Sequence, residues 1–290
     1  MNKVLITGGN GFIGSKAAEY LEDKDYQVLR PSSKELNVLE AGDFGCWMNR
    51  GIGHVIHLAG KTFVPDSWEN PADFFMTNLA GTLNTVEFCR KSGISMTYVS
   101  AYIYGQPEKL PIDETAKVCP NNPYAKSKHM AEELCEFFCQ NYGMNISVLR
   151  LFNVYGTGQN NKFLIPYIVE QAVGPNENIA VQDLEPRRDY VYIDDVCSAI
   201  ESSIAGTKGF QLFNVGSGRS YSVRDIIRIV QEKACTKKEV VSKQNVRKNE
   251  LNDVVADITA IQKAWNWYPH VSMEEGLQIC VREQKLLYEK

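Results

Sequence analysis

Apolar residues along this chain fall into two alternating patterns. Short unbroken runs, such as VLI within 3–7 and HVIHLAG at 54–60, are separated by stretches where apolar positions recur every three or four residues. The short runs fit strands buried on both faces, and the longer spacing fits helices with one buried side. Strands are therefore predicted at 3–7, 26–29, 54–60, 96–100 and 146–149, with helices at 13–23, 42–50, 74–92 and 128–142. Ala17, Ala18 and Leu21 form the inward side of the first helix. This alternation predicts an α/β fold built on a parallel sheet with helices on both faces.

Beyond about residue 160 the rhythm loosens. The segment 162–188 holds one helix, a short IAV strand and a polar turn. YVYIDDVCSAIESSI returns to strand and helix, with Asp194 and Asp195 expected to cap the helix. A further strand lies at 210–216, and Ser222 is the expected N-cap of the helix after it. The pattern predicts a large N-terminal domain over 1–165 and a smaller mixed lobe over 166–290, with segments near 189–216 returning to the main sheet.

A chain of 290 residues can support one large core or two unequal lobes. A net charge of −4 gives no reason to expect nucleic acid or an acidic membrane as a partner. The chain enters its first strand without a signal peptide's apolar region, and no run reaches membrane-spanning length. A soluble, cytoplasmic protein is the expectation. Eight cysteines form no CxxC, and Cys135 and Cys139 suit an apolar helix face better than a metal pair. Four scattered histidines make no ligand cluster, so no metal is expected. His57 reads as a packed strand residue. The lysines and arginines between 233 and 248 read mainly as a solvated face.

Gly8, Gly11 and Gly14, in GGNGFIG, stand between the first strand and the first helix. The three glycines permit a tight turn, close approach of a pyrophosphate and close packing of helix on sheet. The helix N-terminus, with Phe12 and Ile13, can then receive anionic oxygens. Further on, Tyr124 and Lys128 are four residues apart and share one helix face. A nearby ammonium favours phenolate, so this pair can exchange a proton with a hydroxyl near neutrality. Lys126, two residues from Tyr124, turns away. Ser100 ends the strand at 96–100, on the edge where open α/β sheets bind ligands, and can polarise a carbonyl.

The GxxGxxG spacing, HLAG after the third strand, Ser100 five residues before Gly105, and YxxxK together resemble the extended short-chain dehydrogenase/reductase family. The resemblance covers nearly the whole chain. It implies a Rossmann-like NAD(P)-binding domain, a nucleoside-diphosphate-sugar substrate and the catalytic trio Ser100, Tyr124 and Lys128. It makes Leu58, Ala59 and Gly60 a wall beside the nicotinamide, Asn78 a helix asparagine near the cofactor with a structural role, and Ser67 a sugar contact. By the same resemblance Asn153, Arg188 and Arg247 hold the substrate diphosphate. A homodimer through the helices 74–92 and 128–142 is also implied.

Two departures from the family pattern narrow the reading. The family's 4,6-dehydratases follow the catalytic hydroxyl with an acidic pair, whereas Ala101 and Tyr102 stand here. After the second strand, the acid that usually holds the adenosine ribose is replaced by Arg30, with Ser32, Ser33 and Lys34 close behind. That set suits the 2′-phosphate of NADP(H), although Arg30 stacked on adenine is compatible with NAD(H). The reading is reduction of a 4-keto-6-deoxy sugar with Tyr124 as proton donor. The alternatives are a nucleotide-sugar 4-epimerase, similar to UDP-glucose 4-epimerases, and a non-catalytic dinucleotide-binding protein.

Overall fold

Val4 and Ile6 pack into one apolar core and Leu5 into another, and all three are fully buried. Successive strand residues point to opposite faces, so this strand must be covered on both sides. The computed structural model describes residues 3–244 and 251–288. Its first half runs β1 (Lys3–Thr7), α1 (Phe12–Glu22), β2 (Gln27–Leu29), β3 (His54–His57), α2 (Val64–Glu69), α3 (Pro71–Phe75), α4 (Gly81–Ser92), β4 (Ser95–Ala101), α5 (Pro123–Tyr142) and β5 (Ile146–Leu151). The second half runs β6 (Asn153–Tyr155), α6 (Leu164–Val173), β7 (Asn178–Val181), β8 (Arg187–Tyr192), α7 (Ile193–Gly206), β9 (Phe210–Val215), β10 (Ser220–Ser222), α8 (Val223–Ala234), β11 (Glu239–Ser242), β12 (Asp253–Val254), α9 (Thr259–Trp265) and α10 (Met273–Tyr288).

The main sheet is parallel, in the order β2-β1-β3-β4-β5-β9. Helices α1 and α7 cover one face, and α4 and α5 the other. Because β1 is followed by neighbours on opposite sides, a topological switch point lies between β1 and β3, where such sheets bind ligands. A smaller sheet, β10-β8-β12 with β6 also on β8, and a β7–β11 pair build the C-terminal lobe.

Strand β9 rejoins the main sheet, but the strand near 190 does not. Beyond β5 the main sheet continues with β9, and the Phe152 N–H bonds the Val215 carbonyl at 2.9 Å. The chain then leaves the sheet as β6, which pairs with β8. Strand β8 is thereby drawn into the smaller sheet.

Three helices also differ from expectation. The segment expected as a helix at 42–50 is a 3₁₀ helix, Ala41–Trp47, which contains Gly42 and Gly45; glycine weakens α-helix. The helix expected at 74–92 begins at Pro71 and passes through a π turn, Met76–Ala80, before α4. Helix α5 starts five residues earlier than expected, with Pro123 in its first turn and the Asn122 side chain accepting from the Ala125 N–H at 2.8 Å. Ser222 caps α8 as expected, in a reciprocal box with Asp225. Asp195 is not a cap: its carboxylate accepts the His270 and Val271 N–H groups at 2.8 and 3.1 Å, pinning a distant loop.

Candidate active site

The loop between β1 and α1 is shaped by two steric constraints. Gly8 has φ +72°, and a Cβ there would stand 2.7 Å from the Ala59 nitrogen. A Cβ on Gly14 would collide with the Gly8 carbonyl oxygen, so the helix can approach the loop only with glycine there. The Gly11 N–H closes the turn on the Gly8 carbonyl at 3.0 Å, and α1 begins at Phe12 with no side-chain cap. Leu58 and Ala59 lie alongside, their N–H groups bonded to the Thr7 carbonyl and hydroxyl. The loop and the 58–60 segment thus meet at the switch point, leaving an uncapped helix N-terminus suited to a pyrophosphate. Gly8→Ala is expected to cost roughly 1–3 kcal/mol of stability from the left-handed backbone alone, read as a lowered Tm in thermal unfolding.

At the far end of this crevice, Arg30 follows β2 directly and is exposed. A Cβ on Gly9 would stand 2.6 Å from the Arg30 Cβ, which places Arg30 against the glycine loop. Ser33 and Lys34 are exposed, whereas both donors of Ser32, its N–H and its hydroxyl, bond one Glu35 oxygen at 2.8 Å each. These bonds hold the Glu35 carboxyl below its usual range. The Glu35 N–H closes the turn on the Ser32 backbone carbonyl at 3.0 Å, a partner for Ser32 that the sequence reading did not single out. A phosphate reaching Ser32 has to displace the Glu35 carboxylate, whereas the side chains of Arg30 and Lys34 are open to solvent.

Helix α5 and the end of β4 bring the predicted trio together. Ser100 is 4 % exposed, yet its hydroxyl has no hydrogen-bond partner among the described residues. A buried polar atom of this kind needs a partner, and a ligand oxygen at the carboxyl edge of the sheet fits. Lys128 is buried, donates to the carbonyl of Val99, next to Ser100, at 2.6 Å, and lies 4.3 Å over the Tyr98 ring. Burial pulls its ammonium down to about 8, while Glu132 and Cys135 oppose that shift. Tyr124, in the first turn of α5, packs edge-on against Phe74.

The protonation of Tyr124 differs from the sequence expectation. Burial, with smaller contributions from Tyr102 and Glu132, pushes its hydroxyl well above the ordinary tyrosine range. The reason is that desolvation outweighs every other influence on this hydroxyl.

Around the trio, several expected contacts have structural partners. Asn78, in the π turn, accepts from the Lys61 N–H at 2.8 Å and donates to the Lys61 carbonyl and the Ser127 hydroxyl at 3.1 and 2.9 Å. It ties the segment after β3 to α5, beside Gly60, where a Cβ would stand 2.8 Å from its oxygen. The Ser67 hydroxyl is buried and bonds the Val64 carbonyl at 2.7 Å. His57 is a packed strand residue, its ring between Thr7 and Thr82 at 2.6 and 3.0 Å. Burial and, less, Lys128 lower it to about 3.

On the opposite lobe, Asn153 and Arg188 lie on the paired strands β6 and β8. The Asn153 amide donates to the Asp189 carbonyl at 3.0 Å, and Arg188 donates to the Leu251 and Arg187 carbonyls at 2.6 and 2.7 Å. The Asp189 side chain is fully buried and accepts from Ser217, Gly218 and Ala256, fixing the loops around this strand. Arg247 lies outside the described residues. Among the described residues no cluster of metal-ligating side chains occurs, and no helix is long and apolar enough to cross a membrane.

This combination of phosphate loop, strand-end serine and helical Tyr–Lys pair defines a dinucleotide-dependent oxidoreductase site. Residues 4–216 match the model of the NAD dependent epimerase/dehydratase family, and the chain belongs to that family. Over 97 % of its length the chain is 30 % identical to 96 % of the GDP-6-deoxy-D-mannose reductase of Pseudomonas aeruginosa. The structure of RMD from Pseudomonas aeruginosa complexed with NADPH superposes with a TM-score of 0.91 at 29 % identity, covering 99 % of this chain and all of that one. The UDP-glucose 4-epimerase of Thermotoga maritima with UDP-glucose superposes with a TM-score of 0.90, also at 29 % identity, over 99 % of each chain. The protein is thus an NAD(P)-dependent nucleotide-sugar enzyme, related to both reductases and epimerases.

Proposed function

We propose that the protein reduces a 4-keto-6-deoxy sugar carried on a nucleoside diphosphate, using NADPH or NADH, with Tyr124 as proton donor. The likeness over nearly the whole chain to a GDP-6-deoxy-D-mannose reductase supports this reading, together with Arg30 and Lys34, exposed after β2 where a ribose-binding acid usually stands. When bound, the cofactor supplies a hydride to the keto carbon. The Ser100 hydroxyl, buried and without a protein partner, hydrogen-bonds the keto oxygen and orients it. Tyr124 gives its proton to that oxygen as negative charge develops there. Lys128 bonds the nicotinamide ribose and stabilises the tyrosinate left behind. Asn153, Arg188 and Arg247 grip the diphosphate, whose oxygens match the directed donors of arginine. Arg30 and Lys34 favour NADPH.

A second reading, a nucleotide-sugar 4-epimerase, is supported by the likeness to the Thermotoga maritima enzyme. It requires Tyr124 first to act as a base and the cofactor to be kept through both half-reactions. A binding protein without catalysis is disfavoured, since Ser100, Tyr124 and Lys128 are all present. Residues 1–165 with β9 hold the dinucleotide and also lend Ser100 and Asn153 to the sugar nucleotide, which the remainder of 166–290 holds. Met76, Leu83 and Phe137, 56, 40 and 51 % exposed on the π turn, α4 and α5, support a homodimer through these helices. A cytoplasmic location completes the proposal.

The decisive assay offers 4-keto and 4-hydroxy forms of UDP-, GDP- and dTDP-sugars, each with NADH, NADPH or NAD⁺. Consumption of reduced cofactor with the keto sugars alone is the expected result. Net conversion of a hydroxy sugar without cofactor consumption moves the assignment to epimerase, and no turnover with any pair overturns both readings.

A further inference from the structure

One turn beyond Lys128 on the same helix, Glu132 is only 4 % exposed. It meets Arg150 of β5, equally buried, with Arg150 Nε 3.1 Å from both carboxylate oxygens and Nη2 2.6 Å from one. Removing two charges from water is costly, and a buried ion pair is weak evidence of a purely stabilising role. The pair also stands beside the catalytic groups. Ser100 is the direct neighbour of Arg150 across β4 and β5, and Arg150 is that of Asn214 across β5 and β9. The Arg150 guanidinium lies 4.7 Å over the Tyr104 ring, and the Tyr104 hydroxyl donates to Asn214 at 2.6 Å. The ion pair thus joins α5 to the strand ends that carry the site.

We propose that Glu132, clamped by Arg150, is a positioning residue for the trio: its carboxylate keeps Lys128 an ammonium, held against the Val99 carbonyl beside Ser100. The roles given to the trio rest on the reading above. The groups around Lys128 leave few other sources of negative charge. From β3 comes His57, kept neutral by burial, and from β4 Tyr98, whose hydroxyl burial holds protonated. From α5 itself come Tyr124 and Cys135, both also held protonated by burial, and Glu132. Of these, Glu132 alone is an acidic side chain, and it is ion-paired with Arg150. Burial lowers the Lys128 midpoint to about 8 and Glu132 opposes that fall, so removing the carboxylate moves deprotonation to lower pH.

The test is an NMR titration of the full chain labelled with [ε-¹³C]lysine, in which the Lys128 signal is identified by its loss in Lys128→Met. In Glu132→Gln the Lys128 midpoint is expected to fall by about 1 pH unit or more, the shift typical of an opposite charge about 4–6 Å away, as i,i+4 neighbours on one helix face stand. Glu132→Asp, which keeps the charge, should retain most of the wild-type midpoint. The double variant Glu132→Gln/Arg150→Gln removes both charges together and should show a smaller fall in the same direction. The alkaline limb of kcat/KM should move with the NMR midpoint. An unmoved Lys128 midpoint in either folded neutral variant overturns the proposal. Failure of both to fold assigns the pair to folding and overturns it as well. A shifted midpoint in a chain inactive on every sugar nucleotide sinks the proposed function and leaves this inference standing.

Discussion

Tyr124→Phe is expected to lower kcat by about 10²–10⁴-fold, the range typical of losing a positioned general acid. Dinucleotide affinity should change little, because the phenol oxygen is lost while the ring that packs on Phe74 is kept. The two measurements are steady-state reduction of the keto sugar and titration of NADPH binding by its fluorescence. Their separation is the point: the phosphate loop, Arg30 and Lys128 are all intact in this variant. Turnover at the wild-type rate would remove Tyr124 from the mechanism. Equal loss of binding and turnover would instead make it a cofactor contact. The pH dependence has a definite sign. In the proposed reduction the acid form of Tyr124 and the ammonium of Lys128 are the active species, so activity should fall as pH rises through the Lys128 midpoint, which burial pulls down to about 8.

Arg30→Asp should raise KM for NADPH by roughly 10–100-fold and change KM for NADH far less. The estimate takes one charge-assisted hydrogen bond of about 1.5–3 kcal/mol, at about 1.4 kcal/mol per tenfold. The aspartate also adds repulsion toward a 2′-phosphate and restores the ribose-binding acid that Arg30 replaces. Arg30 lies exposed against the glycine loop, so the substitution should leave the fold intact. Equal effects on the two cofactors would remove the case for phosphate recognition. Kinetics with both cofactors over one range of keto-sugar concentration make the comparison.

The parts of the site read from the chain are those whose chemistry is local. Gly8 and Gly14 stand where neither backbone nor space admits a side chain, and Tyr124 and Lys128 lie one helical turn apart. Ser100 is legible from its place near the end of a strand, five residues before Gly105 in the pattern of the family it resembles. What escaped detection depends on partners distant in sequence. Nothing near Glu132 announces that Arg150 will reach it from β5, and nothing near Asn78 announces Lys61 and Ser127. Glu35 is the exception, since its bond to Ser32 spans three residues.

The sequence by itself determined the alternation of strands and helices, the glycine loop between β1 and α1 and the one-turn spacing of Tyr124 and Lys128, because periodicity, backbone sterics and helical spacing act over a few residues. Tertiary structure alone decided that β8 belongs to the smaller sheet, that Lys128 bonds the Val99 carbonyl, and that burial pushes the Tyr124 hydroxyl up. Those outcomes follow from desolvation and from competition among distant partners, and both exist only once the chain has packed.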